Sequence, residues 1–326
     1  ELEEQILPDG AHFELSPMYH QIILYHLLDS INLLQKNMYF NNQEYLLIYM
    51  EQKARLMLKW INMMTFSNGE IPMLNDAAPG IAPSSKQLNK YAINLKIITE
   101  ESFNEYCRFP GKLTQSGYRF FKNAIYECFF DIGFVGPSYQ PGHAHADTFN
   151  FVLNIYNKPI IIDTGVSTYD PGEVRLQERG TRAHNTVTVL DADSSEIWSS
   201  FSIARRANVK IIEDNGESVV AQHDGYKKFG VIHRRRWIFA NKKIVIIDKL
   251  IGKVDTGKAY LHIAPEYIPE KEGNSIKLGD SIILLEHSES IEVIKTKIPR
   301  GYNQFQDNYT IEILFRKFLN MSIITK

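Results

Sequence analysis

Phe109-Pro110-Gly111 decides the fold, because the apolar spacing changes there from a helical period to a strand period. Upstream of it, Leu24, Leu27, Leu28, Ile31 and Leu34 recur at helical spacing and form one stripe. Ser16-Pro17 opens that helix: serine can cap free amides, and proline at the first helical position forfeits no hydrogen bond. A second helix is expected from Asn42 to about Met64. The Gly/Pro-rich stretch from Asn68 to Pro83 then interrupts, and a third helix is expected from about Ser85 to Tyr106. Downstream, short β-branched and aromatic runs alternate with turn residues such as Asn157-Lys158 and Asp214-Asn215-Gly216. No helical segment of the length a parallel crossover needs lies between these runs, so the strands are expected to be antiparallel and stacked as a sandwich. The expectation is an α+β multidomain chain, helical over 1–110 and an antiparallel β-sandwich over 111–326.

Working outward, 326 residues with 44% hydrophobic content supply ample core for two domains. Lys and Arg total 36 against 38 Asp and Glu, a balance that argues against a broad nucleic-acid surface. The basic run His233-Arg234-Arg235-Arg236 sits within a strand pattern, so its side chains alternate between faces, and a solvated edge or ion-paired strand is expected. No apolar run is long enough for a membrane-spanning helix. Two cysteines, Cys107 and Cys128, make no disulfide framework, and a bridge between them is undetermined by sequence. The chain opens on Glu1 without a signal segment, and the expectation is a piece of a longer protein.

The densest polar cluster is Gly142-His143-Ala144-His145-Ala146-Asp147. In an extended chain His143, His145 and Asp147 would share one face. Asp163 ends the next apolar run, and His184-Asn185-Thr186 opens another strand. Two histidines and an aspartate from neighbouring strand ends can hold zinc, which takes nitrogen and carboxylate oxygen tetrahedrally. The alternatives stay open here: a hydrogen-bonded histidine pair, a turn aspartate, and a strand entry with local side-chain bonds. Tyr19 falls in the first turn of the first helix, where the positive end of the dipole favours a phenolate. Otherwise Tyr19 and His20 are a partly buried aromatic and a surface histidine.

In this order, Pro8-Asp9-Gly10, Phe13 to His20, Gly142 to Asp147, Ile162-Asp163-Thr164-Gly165, Arg182 to Val187 and the His233-Arg234-Arg235 strand resemble the heparinase II/III family of polysaccharide lyases. The resemblance covers nearly the whole chain. It implies helices of an incomplete α/α-toroid followed by a large antiparallel β-sandwich. It also implies β-elimination at a uronic acid of an acidic polysaccharide, with Tyr19 as base and acid. His143 would neutralise the uronate carboxylate or share the proton transfer. By the same resemblance His145, Asp163 and His184 would bind a mainly structural Zn2+. Tyr169, Arg179 and Arg182, close in sequence, would contact the anionic substrate, since guanidinium bonds two oxygens at once. A periplasmic or extracellular location follows from the family alone.

One departure bears on activity. Family enzymes carry much of the toroid, with an Asn or His that helps neutralise the carboxylate, before the segment matching Pro8-Asp9-Gly10, and only seven residues precede it here. This chain alone is therefore expected to have little or no lyase activity, and its uncovered helical faces are expected to self-associate or to meet missing toroid helices. Two other classes compete: a non-catalytic carbohydrate-binding or scaffold module, which needs no base, and a zinc hydrolase, for which no HExxH-type base is present. The polymer itself, heparan-type, alginate-like or a bacterial surface glycan, is left open.

Overall fold

The computed structural model describes residues 1–37, 39, 41–101 and 113–325. The expected boundary at Phe109–Gly111, the end of the third helix at Tyr106, and Cys107 with any bridge to Cys128 lie outside them. The helical half comprises α1 (Leu2–Gln5), α2 (Pro17–Lys36), α3 (Gln43–Met63) and α4 (Ser85–Asn94). α2 and α3 follow the expected stripes: Leu24, Leu27, Leu28 and Ile31 pack with Met50, Ala54, Leu58 and Ile61 in one core. α4 starts on a capping box, in which Ser84 and Gln87 satisfy each other's free amides. It stops well short of the expected end. The Ile97 amide bonds the Ala92 carbonyl and Lys96 bonds Ile93, closing a Schellman turn with Lys96 at φ +60°. A lysine where glycine is usual hid this stop from the sequence.

The second half is built from β1 (Tyr118–Lys122), β2 (Tyr126–Asp131), β3 (Phe151–Ile155), β4 (Lys158–Ile161), a short helix α5 (Glu173–Arg179) and β5 (Val187–Val189). Then come the hairpin β6 (Glu196–Ser199) and β7 (Ser202–Ala204), followed by β8 (Val209–Asp214), β9 (Ser218–His223), β10 (Val231–Ala240), β11 (Lys243–Gly252) and β12 (Thr256–Ile263). The last four strands are β13 (Glu270–Glu272), β14 (Ser275–Leu278), β15 (Ser281–Pro299) and β16 (Phe305–Thr325). Among the described residues every strand pair is antiparallel, and the main path runs β1-β2-β3-β4-β12-β16-β11-β10-β9-β8. Distant strands of this path meet face to face. Phe130 of β2 stacks on Trp237 of β10 at 4.7 Å, and Phe121 of β1 on Phe239 at 4.6 Å. The sheet therefore doubles over one apolar core, as a sandwich does. Arg119 of β1 also bonds Asp214 of β8 at 3.0 Å, tying the two ends of the path.

The halves share side chains. Tyr118, Phe129 and Val152 of the sheet pack into the same cluster as α2 and α3. The Asp9 carboxylate accepts hydrogen bonds from the Gln115 and Ser116 amides, and Gly10 at φ +94° lies so close to Leu56 that a β-carbon would meet its carbonyl at 2.2 Å. Among the described residues no helix is long and apolar enough to cross a membrane.

Of the two readings expected for the basic run, the ion-paired strand holds: it is an interior strand and not a solvated edge. β10 lies between β9 and β11, with His233 and Arg235 buried and Arg236 exposed. Arg235 makes a two-pronged pair with Asp248, at 2.7 and 2.9 Å, and donates to the carbonyls of Phe149 and Asn185. Burial alone would raise the Asp248 carboxyl, but Arg235 and His233 bring it down to about 2. Arg235→Met should cost about 3–5 kcal/mol, because it strands a buried carboxylate. Thermal unfolding checks this, and an unchanged melting temperature would show that the pair does not hold the core.

Candidate active site

Tyr19 sits at the third position of α2. Ser16 occupies the N-cap position in extended conformation, as expected, but its hydroxyl makes no capping bond and is buried without a hydrogen-bond partner. The Tyr19 ring lies face to face with the His143 imidazole, 3.9 Å between centroids. Its hydroxyl shares a hydrogen bond with Tyr169. The expectation of a lowered phenol is overturned. Burial pushes Tyr19 above its ordinary value, Tyr169 pulls the other way, and Asp76 and Glu14 push further up. His20 is fully buried rather than at the surface: it accepts the His12 amide at 3.1 Å, donates to the Met57 carbonyl, and packs on Trp60.

Asp76 gathers the site. It stands in the Gly/Pro-rich connector between α3 and α4, fully buried. One oxygen meets His143 Nδ1 at 2.8 Å and the other meets His145 Nε2 at 2.8 Å. The guanidinium of Arg175, from α5, clamps both oxygens. Burial alone would raise this carboxyl; the bonds from His143, His145 and Arg175 hold it well below the usual carboxylate range. Tyr169 donates to the Asp76 carbonyl at 3.2 Å. The adjacent Asn75 accepts the His145 amide at 3.0 Å and donates to the Leu15 carbonyl at 3.1 Å. On the other side of His143, Nε2 stands 3.8 Å from Glu14. The 142–147 stretch is a loop, not a strand, so the two histidines converge through a shared carboxylate rather than through a pleat. Sequence reading passed over Asp76 and Arg175. The available signal was a polar Asn75-Asp76 pair inside the apolar stretch Met73-Leu74 to Ala77-Ala78.

The expected metal residues adjoin this hub. Asp163 meets His184 Nδ1 at 2.8 Å and accepts the Gly165 amide, as an Asx turn does. The His145 and His184 rings are 5.3 Å apart. Burial brings His145 down to about 4, whereas the Asp163 carboxylate outweighs burial at His184 and raises it. Among the described residues no three His, Cys, Asp or Glu side chains are assembled as a ready metal cage. Three buried atoms around the cluster nevertheless have no hydrogen-bond partner: His145 Nδ1, His184 Nε2 and one Asp147 oxygen. Asp147 does not share a face with His143. It is buried near Asp131 and Asp163, and burial first, then the Asp163 charge, raises it to about 6. Two unused imidazole nitrogens beside crowded carboxylates are a donor set that suits zinc.

The three residues expected to meet substrate part company. Tyr169 joins the hub. Arg179 is fully buried and donates to the Ala144 and Ser199 carbonyls, so it is an internal strut out of reach of a substrate anion. Arg182 is exposed, pairs with Glu312, and lines a separate groove of about 800 Å³ whose walls include neither Tyr19 nor His143. Spacing could not separate these fates, because α5 turns its arginines inward and the turn after it faces out.

Similar proteins carry the same order of parts. A curated heparin-sulfate lyase from Bacteroides stercoris is 25% identical over 279 residues, 80% of this chain and 40% of that protein. One from Pedobacter heparinus is 24% identical over 286 residues, with the same coverage. The chain thus spans about 40% of the length of these relatives. The crystal structure of the heparan sulfate lyase HepC from Pedobacter heparinus superposes with a TM-score of 0.77 at 18% identity, over 99% of this chain and 54% of that one. The fold is therefore the expected one, toroid helices followed by an antiparallel sandwich. The family model "Heparinase II/III N-terminus" matches residues 1–102, and "Heparinase II/III-like, C-terminal" matches 110–317, well over half the chain, which makes this chain a member of the heparinase II/III family.

Proposed function

We propose that this chain forms the catalytic part of a polysaccharide lyase that cleaves a uronic-acid-containing polymer, of the heparan sulfate class, by β-elimination. The observation that carries the reading is the Tyr19 ring stacked on His143, with His143 held through Nδ1 by the buried Asp76.

Elimination requires removal of the proton at C5, next to the uronate carboxylate, and departure of the glycosidic oxygen from C4. The C–H electron pair becomes the C4=C5 double bond, the C4–O bond breaks, and the leaving oxygen takes a proton. A negative carboxylate resists this until donors neutralise it. The face-to-face stack argues for a division of labour: the Tyr19 hydroxyl has Tyr169, rather than the imidazole, as its hydrogen-bond partner, and that bond favours the phenolate. Tyr19 then serves as base at C5 and acid at the leaving oxygen. His143, its Nδ1 occupied by Asp76, offers Nε2 to the carboxylate. Appearance of an unsaturated, ultraviolet-absorbing product on heparan sulfate, tested with the natural gene product that carries this chain, supports the reading. Binding without that product would instead favour a carbohydrate-binding module.

The orphaned nitrogens of His145 and His184 support a zinc ion held by these two residues and Asp163. When bound, it would supply positive charge to a crowded carboxylate cluster and brace the loop that carries His143. Elemental analysis should give about one zinc per chain. His184→Ala should lose the metal and lower the melting temperature. No zinc in the folded parent would leave His145, Asp163 and His184 as a hydrogen-bonded cluster.

A further inference from the structure

The β6–β7 hairpin forms its own two-stranded sheet, apart from the main one. Its turn, Ser200-Phe201, is tied down from beneath. Arg175 donates to the Ser200 carbonyl at 3.1 Å, and Arg179 to the Ser199 carbonyl at 2.5 Å. Ile203 packs with Val135, Ala144 and Ala207 on the inner side. This arrangement presents the Phe201 ring at the rim of the site: 6.1 Å from His143, edge to face, and 6.3 Å from Tyr169, nearly parallel at 12°. The Arg175 guanidinium lies 5.4 Å from the Phe201 ring and 5.3 Å from the Tyr169 ring. Yet Phe201 remains 47% exposed. A large apolar ring fixed by two buried arginines and left half in water contributes little to the core.

We infer that Phe201 is a stacking platform for a pyranose ring of the polymer, next to the residue whose C5 proton Tyr19 removes. A sugar ring has an apolar C–H face and polar edges, so an aromatic face recognises it without charge. The cations nearest this spot cannot do so, since Arg175 is committed to Asp76 and Ser200, and Arg179 to Ala144 and Ser199. The platform rests on the lyase reading above and extends it to a residue that selects sugar shape rather than charge.

The test is calorimetric binding of a heparan sulfate oligosaccharide, with poly(vinyl sulfonate), an anionic polymer without sugar rings, as second probe. Phe201→Ala should weaken oligosaccharide binding about tenfold and leave the melting temperature and the binding of poly(vinyl sulfonate) unchanged. Phe201→Leu, which keeps an apolar side chain without a ring face, should lose as much, and Phe201→Trp should restore affinity. Equal oligosaccharide affinity in Phe201→Leu and the parent would overturn the platform alone. Failure of the parent to bind any uronate oligosaccharide would overturn the lyase reading and the platform with it.

Discussion

Tyr19→Phe is expected to reduce elimination by about 10³-fold or more, with substrate affinity and melting temperature nearly unchanged. The replacement keeps the ring that stacks on His143 and removes only the hydroxyl, together with its hydrogen bond to Tyr169. Proton transfer by a positioned side chain is worth about 10²–10⁴ in rate. Here one hydroxyl is assigned both the removal at C5 and the delivery to the leaving oxygen, so the loss belongs at the upper part of that range. An ordinary tyrosine is only ~0.1% ionised at pH 7, a deficit of roughly 4 kcal/mol. Burial of Tyr19 deepens that deficit in the free protein, so the phenolate must be drawn out by the bound substrate. The measurement is the initial rate of unsaturated product formation alongside the dissociation constant. Retention of a tenth of the parent rate would remove Tyr19 from the mechanism.

Asp76→Asn should destabilise the protein by about 3–5 kcal/mol and lower turnover by at least 10²-fold. The change is nearly isosteric, so packing is preserved and the effect is electrical. Arg175 is fully buried, and its guanidinium would face a neutral amide. His143 and His145 would lose the carboxylate that orients both rings. Thermal unfolding reads the first effect. The nitrogen resonances of the His143 imidazole read the second independently of stability, because Nδ1 loses its carboxylate partner. A variant that melts with the parent and keeps its imidazole spectrum would show that Asp76 neither holds nor orients the site.

Much of this was legible in the chain, and the failures have physical causes. The periods of α2 and α3 and the antiparallel strands followed from side-chain spacing, since each element buries one stripe or face. The continuity of β15 was not legible, because the bulge around His287, at φ +65°, shifts the pairing register within polar Glu286-His287-Ser288-Glu289-Ser290. The β6–β7 hairpin leaves little periodic signal, being short and mixed in polarity. In the site, residues within one polar run could be grouped by eye, but the carboxylate that joins them lies 67 residues from His143 and 99 from Arg175. No local pattern marks such a partner. Arg235 was legible in part: of the two readings expected for the basic run, a solvated edge or an ion-paired strand, the second holds, with Asp248 keeping its alternate members inside.

The shared core of the two halves has a consequence for how such proteins can change over generations. Tyr118, Phe129 and Val152 complete a helical core, and Asp76, from the helical half, completes the charge balance of histidines and an arginine from the other. Neither half is a transferable part. A recombination event that joined the helices of one lineage to the sandwich of another would inherit mismatched knobs at the seam and an unpaired ion at its centre. Lineages of this family should therefore diversify in the rim around that seam, at hairpins such as the one bearing Phe201, where a substitution alters what is grasped without unsettling what holds the two halves as one.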